Sequence, residues 1–264
     1  MITTDYVPGS PCWLDLGAPD VPAAVRFYSA VFDWDFQSMA PHAPDHGIFQ
    51  VDGKAAAGLG PLTEEGARSA WMIYFRTDDV DATDAAVRQG GGTVRVPPRD
   101  AGERGRMAQY TDPQGGQFAV FQPRAYAGLE AVDEPGALCW TELYTTDAAA
   151  AKRFYGSVFG WATEDIPLPG DDGMTYTLLA PSGLGQERRH GGLMQLAPEQ
   201  LPVTDGRAYW HPVFASADCD VTVHKVTGGG GAVQMGPVDV EGVGRLAVCT
   251  DLAGADFVAL TPSD

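Results

Sequence analysis

Along the chain, short apolar runs alternate with stretches of helical periodicity, and the same alternation returns four times. Trp13 to Leu16 reads as a short strand. Asp20 is placed to cap a helix whose first turn tolerates Pro22. Ala24, Tyr28, Val31 and Phe32 then recur at helical spacing. A second unit opens at the aromatic-rich strand Trp71 to Phe75. Its helix runs from about Asp79 to Gln89 and stops at the glycines Gly90 to Gly92. Strands follow at Thr93 to Val96, Met107 to Tyr110 and Gln117 to Gln122. Asp112-Pro113-Gln114-Gly115 carries the residue preferences of the β-turn that joins the last two.

The whole pattern is duplicated. Cys12-Trp-Leu-Asp-Leu returns as Cys139-Trp-Thr-Glu-Leu, and Arg26-Phe-Tyr-Ser-Ala-Val-Phe-Asp-Trp34 returns as Arg153-Phe-Tyr-Gly-Ser-Val-Phe-Gly-Trp161, 127 residues on. Asp147 and Gly160 should cap and end the second copy's helix. The later halves match 139 residues on: Trp71 with Trp210, Asp79 with Asp218, Thr111-Asp112 with Thr250-Asp251, and Phe118 with Phe257. The second copy thus carries 12 extra residues, which fall in the Gly- and Pro-rich segments around 167–173 and 181–190. Two modules are expected, residues 1–125 and 135–264, each strand, helix, three strands, twice over.

Composition narrows the partners. With 264 residues and 44% hydrophobic content the chain can build real cores. No apolar run is long enough for a membrane span, and Met1 to Ser10 lacks a basic stretch followed by an apolar one. A cytoplasmic location is the expectation, with no membrane partner. A net charge of −18 argues against nucleic acid. Cys12, Cys139, Cys219 and Cys249 form no CxxC pair and read as small buried residues.

Four βαβββ units, with helix ends reading Arg-Phe-Tyr-x-x-Val-Phe-x-Trp and a last hairpin of Asp-Pro-x-Gly, resemble the glyoxalase/bleomycin-resistance/dioxygenase (vicinal oxygen chelate) superfamily. The likeness is greatest to its duplicated two-module glyoxalase-like or "hydroxylase" subgroup. The resemblance implies an α+β fold: four βαβββ units forming two tandem cup-shaped modules that pack as a pseudo-dimer. It also implies a monomer, or a homodimer, with a small-molecule ligand or substrate. In metal-using members the ligands come from the first and last strands of each unit. Carried over, those positions are Trp13 and Trp140, seven residues before Asp20 and Asp147, then about Trp71 and Trp210, and about Ala119 and Val258. None supplies a metal-binding lone pair, so no metal and no cofactor are expected.

Strand alternation then sets the expected cup lining. Trp13 brings Asp15 and Gly17. Trp140 brings Glu142 and Tyr144. Trp71 brings Ile73 and Phe75, Trp210 brings Pro212 and Phe214, and the last strands bring Gln117 and Asp256. Such cups would be aromatic with a few polar groups, as small-molecule pockets are. The bland alternative is that the tryptophans plug vestigial cups as core. Among the histidines, His42 and His46 fall in a loop after Phe36, His190 precedes a hairpin, His211 faces away from Trp210, and His224 lies on a helix; they do not converge. Three functional readings stand. The first is metal-independent sequestration of a hydrophobic or aromatic molecule, giving resistance. The second is a metal-free tailoring enzyme of natural-product metabolism, with Glu142 or Asp15 as acid/base. The third is a metal-dependent lyase or dioxygenase with displaced ligands. The sequence leaves enzyme against binding protein open. The second cup, with Glu142, Asp256, Tyr144 and a longer 181–190 connection, is the expected working one.

Overall fold

A computed structural model describes residues 2–40, 43–63, 67–168 and 173–263. The four βαβββ units follow one another. The first is β1 (Pro11–Ala18), α1 (Val21–Phe32), β2 (Asp35–Ala40), β3 (Ala43–Val51) and β4 (Lys54–Pro61). The second is β5 (Ala70–Arg76), α2 (Val80–Gln89), β6 (Thr93–Asp100), β7 (Gly105–Thr111) and β8 (Gln117–Pro123). The third is β9 (Leu138–Thr145), α3 (Ala148–Phe159), β10 (Ala162–Pro167), β11 (Thr175–Ala180) and β12 (Gly191–Gln195). The fourth is β13 (Tyr209–Ala215), α4 (Cys219–Gly228), β14 (Ala232–Val240), β15 (Gly244–Thr250) and β16 (Asp256–Pro262). They form two eight-stranded sheets of matching order, β2-β3-β4-β1-β5-β8-β7-β6 and β10-β11-β12-β9-β13-β16-β15-β14.

The helix starts follow from their caps. The carboxylates of Asp20, Asp79, Asp147 and Asp218 accept first-turn amides of α1 to α4, from Ala23, Asp81 and Ala82, Ala150 and Val221. Gly160 ends α3 at φ 67°, a left-handed cap that favours glycine. Asp112 accepts the amides of Gln114 and Gly116 across the β7–β8 turn, and Asp251 does the same for Ala253 and Ala255. Two expectations shift. His46 lies in β3 rather than a loop, while His42 lies outside the described residues. β6 extends past Val96 to Asp100, because register shifts let it carry Pro97 and Pro98 beside β7.

The contacts divide the chain into two compact units, each built from both copies. One comprises Met1–Trp13, Ile73–Gly128 and Trp140–Trp210; the other comprises Leu14–Met72, Leu129–Cys139 and His211–Asp264. In the first, α2 lies against α3, and Phe75, Phe118, Tyr155, Trp161 and Trp210 make the core, with ring centroids 5.0–5.5 Å apart in four of the pairs. In the second, α1 lies against α4, and Tyr28, Trp34, Trp71, Phe214 and Phe257 repeat that core. All four cysteines are buried and free. Burial raises the Cys139 and Cys249 thiols to about 12, so both stay protonated and behave as small apolar side chains.

Candidate functional site

The two cores share one polar device. In one unit Trp210 Nε1 donates to Tyr155 Oη at 2.8 Å, and that hydroxyl donates to Asp112 Oδ2 at 2.8 Å. In the other, Trp71 Nε1 donates to Tyr28 Oη at 3.1 Å, and the hydroxyl donates to Asp251 Oδ2 at 3.2 Å. Burial pushes both phenols well above their ordinary range, with the neighbouring carboxylate as the next cause. Burial also raises Asp112 and Asp251, against the hydrogen bonds they accept. Each relay ties a helix of one copy to the last hairpin turn of the other.

These relays correct three expected lining residues. Trp71 and Trp210 are 4% and 5% exposed and point at helix tyrosines, and Phe214 is wholly buried among Phe32, Trp34 and Trp71. They are core, as are Ile73 and Phe75. The physical reason is strand parity. Seven residues before the caps Asp79 and Asp218 stand Met72 and His211, not the tryptophans. Met72 and His211 therefore occupy the other face, where the first strands carry Trp13 and Trp140. His211 is fully buried. The parallel register that sets Val213 beside Val258, continued two residues back, brings His211 beside Asp256. That pair went unnoticed in the sequence, although the seven-residue spacing held the signal. Met72 and Gln117 stand in the same places in the first copy, from the register Tyr74 beside Ala119.

Asp256 is not a free acid. Arg68 Nη1 binds its Oδ2 at 2.6 Å and Gln234 Nε2 binds its Oδ1 at 3.2 Å. Glu142 and Asp256 fall in different units, and Asp256 is paired with Arg68 within its own. Gln117 is exposed at the start of β8.

The third strand set holds the best-formed candidate site. In β9, Thr141, Leu143 and Thr145 are buried while Trp140, Glu142 and Tyr144 are half-buried, so the last three share the face opposite the core. The register of β9, β12 and β11 aligns Tyr144 with Met194 and Tyr176, and Glu142 with Gly192 and Leu178. Tyr176 lies across Gly192: a Cβ there would stand 1.9 Å from its hydroxyl. Only glycine leaves room for that ring. The seating brings Tyr176 Oη to 2.9 Å from Trp140 Nε1, which donates to it. Burial, followed by the charge of Glu142 beside it, pushes the Tyr176 phenol well above its ordinary range. The Tyr209 ring stands edge-on to Tyr144, 5.6 Å between centroids. The result is a third Trp–Tyr pair with an acid on the same face, this one half-open.

The first copy is built differently. Asp15 and Gly17 take the places of Glu142 and Tyr144, opposite Gly58 and Gly60 of β4. The position of Tyr176 is held by His46, whose ring stands 3.2 Å from where a Gly60 Cβ would be. Trp13 packs edge-on to Tyr126 at 5.6 Å. The 181–190 connection is pinned by Arg188 to Asp5 at 3.3 Å and by Arg189 to Glu164. A separate groove of about 510 Å3 between α2 and α3, lined by Gln89, Gln114, Arg153 and Phe154, holds none of the expected cup-lining or acid/base residues.

Among the described residues no three His, Cys, Asp or Glu side chains cluster as a metal site. The expected ligand positions hold Trp13, Trp140, Ala119 and Val258, with Met72 and His211 in the second units. Of these positions only His211 offers a metal-binding atom, fewer than the several ligands a divalent ion requires.

The model of the Glyoxalase/Bleomycin resistance protein/Dioxygenase superfamily matches residues 12–120 and again 137–258, and the chain belongs to that superfamily. It is 34% identical over 266 residues to the "Putative glyoxylase CFP32" of Mycobacterium tuberculosis, covering 98% of this chain and 97% of that protein. It is also 34% identical over 270 residues to the anthracycline biosynthesis protein DnrV of Streptomyces peucetius, covering 96% and 94%. The Mn(II)-bound glyoxalase from Novosphingobium aromaticivorans shares the fold at 16% identity and a TM-score of 0.64, over 97% of this chain and 84% of that one. No helix among the described residues is long and apolar enough to cross a membrane.

Proposed function

We propose that the chain binds a planar, hydrophobic aromatic molecule on the β9–β11–β12 face, without a metal, and sequesters it. The observation that carries this is the half-open ring set of Trp140, Tyr144 and Tyr176 around Glu142, with Tyr176 seated by Gly192. Mostly aromatic lining with one or two fixed polar groups is the ordinary make-up of a small-molecule site. A half-open indole and phenol set suits stacking on a flat ring.

A second reading is supported by a specific observation. DnrV and its Streptomyces homologue DauV are both named for anthracycline biosynthesis, and each is 34% identical over 270 residues. An anthracycline is a fused-ring aromatic, the ligand shape this face accepts. The same site would then serve a metal-free tailoring step in natural-product metabolism, with Glu142 as proton acceptor. Asp15, the other acid expected for that role, stands on a face where Gly17 and His46 take the places of Tyr144 and Tyr176, and does not enter this reading.

Glu142→Gln separates the two readings. With a hydroxyanthraquinone as probe, native mass spectrometry should show one bound molecule per chain in both wild type and variant under sequestration, with no conversion. Under the tailoring reading the variant still binds, but turnover falls by roughly a hundredfold. No binding by the wild type would overturn both.

A further inference from the structure

We infer that the groove between α2 and α3 is a second ligand site, separate from the Trp140 face, and that it takes a small hydroxylated organic acid. The groove holds about 510 Å3 and shares no residue with the aromatic face. A close approach at one end shapes it. Gly90 follows α2, and a Cβ there would stand 2.9 Å from the Phe154 ring of α3. Phe154, Pro113 and Ala150 give the groove its apolar wall.

Two polar side chains of the groove are unengaged. Arg153, exposed on α3, is in no ion pair among the described residues. The chain has 35 acidic residues against 17 Lys and Arg, so a guanidinium without an acid is the exception. No described lining residue is acidic. Asp112, next to Pro113 in the chain, already accepts from Tyr155 Oη and from the amides of Gln114 and Gly116. Gln114 is the second group. Its backbone is fixed on both sides: the amide donates to Asp112 Oδ1 at 2.8 Å, and the carbonyl accepts from the Ala208 amide at 3.1 Å. Its side-chain Oε1 is buried with no hydrogen-bond partner among the described residues. Buried acceptors are rarely left so. A carboxylate fits the planar Arg153 fork, and a ligand hydroxyl supplies the donor that Gln114 lacks. The equivalent place in the other unit lacks these groups. Arg26 repeats Arg153, but Gly228 and Ala253 stand for Gln89 and Gln114. Lys225 stands for Ala86, with its ammonium bonded to Asp33 at 3.0 Å. Arg26 is therefore an internal control.

Three probes on one frame test it: mandelate, phenylacetate, which lacks the hydroxyl, and mandelamide, which lacks the charge. In calorimetric titration mandelate should bind tightest, with phenylacetate about 2- to 10-fold weaker. Mandelamide should be weaker by about tenfold or more. Arg153→Gln should weaken mandelate by about tenfold or more, while Arg26→Gln and Trp140→Ala leave it unchanged. Arg153 is exposed and unbonded, so its variant keeps the fold. Gln114→Ala should bring mandelate and phenylacetate within about twofold of each other. No binding of mandelate by the wild type, or an affinity that Arg153→Gln leaves intact, overturns the inference. A loss confined to Trp140→Ala also overturns it, because mandelate would then sit on the aromatic face. A preference for mandelate over phenylacetate that survives Gln114→Ala overturns the part assigned to the hydroxyl.

Discussion

The first-strand faces of the two copies start from one template and end in different chemistry. β1, β3 and β4 present Asp15, Gly17 and His46 over Gly58 and Gly60. β9, β11 and β12 present Glu142, Tyr144 and Tyr176 over Gly192 and Met194, with Trp140 bonded into the set. On the core side nothing of the kind has happened: Trp71–Tyr28–Asp251 and Trp210–Tyr155–Asp112 are the same relay twice. The side that packs has stayed fixed through the duplication, and the side that faces away from the core has diverged. A buried indole N–H, a phenol and a carboxylate satisfy one another, and changing one strands the other two at a cost of about 1–3 kcal/mol. A half-open face carries no such penalty, which leaves it able to acquire a function.

The largest expected effect tests that division directly. Trp210→Ala should destabilise the protein by about 3–5 kcal/mol, because it removes a buried indole and takes from Tyr155 Oη the donor it accepts. Trp140→Ala, half-buried and bonded to Tyr176, should cost much less in denaturant unfolding. Equal losses would erase the distinction between core and site.

Next comes Tyr155→Phe, with Tyr28→Phe as its twin. Each removes one hydroxyl that both accepts from an indole and donates to a carboxylate. Each should cost about 1–3 kcal/mol in urea titrations, and the two should agree. A cost confined to one copy would break the claim that the relays are equivalent.

Gly192→Ala sharpens the other side of the comparison. Its Cβ would stand 1.9 Å from the Tyr176 hydroxyl, so the ring must leave and aromatic-ligand affinity should fall about tenfold or more. Gly156→Ala on α3 meets nothing within 4 Å. It should leave affinity unchanged and gain up to about 1 kcal/mol of helix stability.

The smallest effect is a pH dependence. Asp112 and Asp251 are raised, mainly by burial, so each binds its proton more readily folded than unfolded. The stability they add is full below the ordinary carboxylate range and is lost as pH rises through their raised folded values. Lowering the pH from 7 toward about 4 should therefore shift the stability difference between wild type and Asp112→Asn in favour of the wild type. A flat difference, or one moving the other way, would contradict the assigned shift.

Much of this was legible in the residues, and the failures have causes. Asp20, Asp79, Asp147 and Asp218 announced the helix starts because capping is local. The repeat announced the four units. Trp71 and Trp210 were misplaced because their likeness to Trp13 outweighed a one-residue difference in spacing to the cap, and in a strand one residue reverses the face. That slip also hid His211 beside Asp256. Tyr176 was missed because it lies where the second copy has extra residues and the repeat offers no counterpart by simple offset. Its role depends on a glycine in a neighbouring strand. Tyr28 and Asp251 lie 223 residues apart, a pairing no local pattern carries.

The central claim is that the aromatic ligand sits on the Trp140 face and not on its counterpart. Calorimetric titration of a hydroxyanthraquinone into wild type, Trp140→Ala and Trp13→Ala measures that directly. Trp140→Ala should weaken binding by about 1–3 kcal/mol, the cost of losing one stacked ring, and Trp13→Ala should match the wild type. Unchanged affinity in Trp140→Ala, or a loss in Trp13→Ala alone, would contradict it.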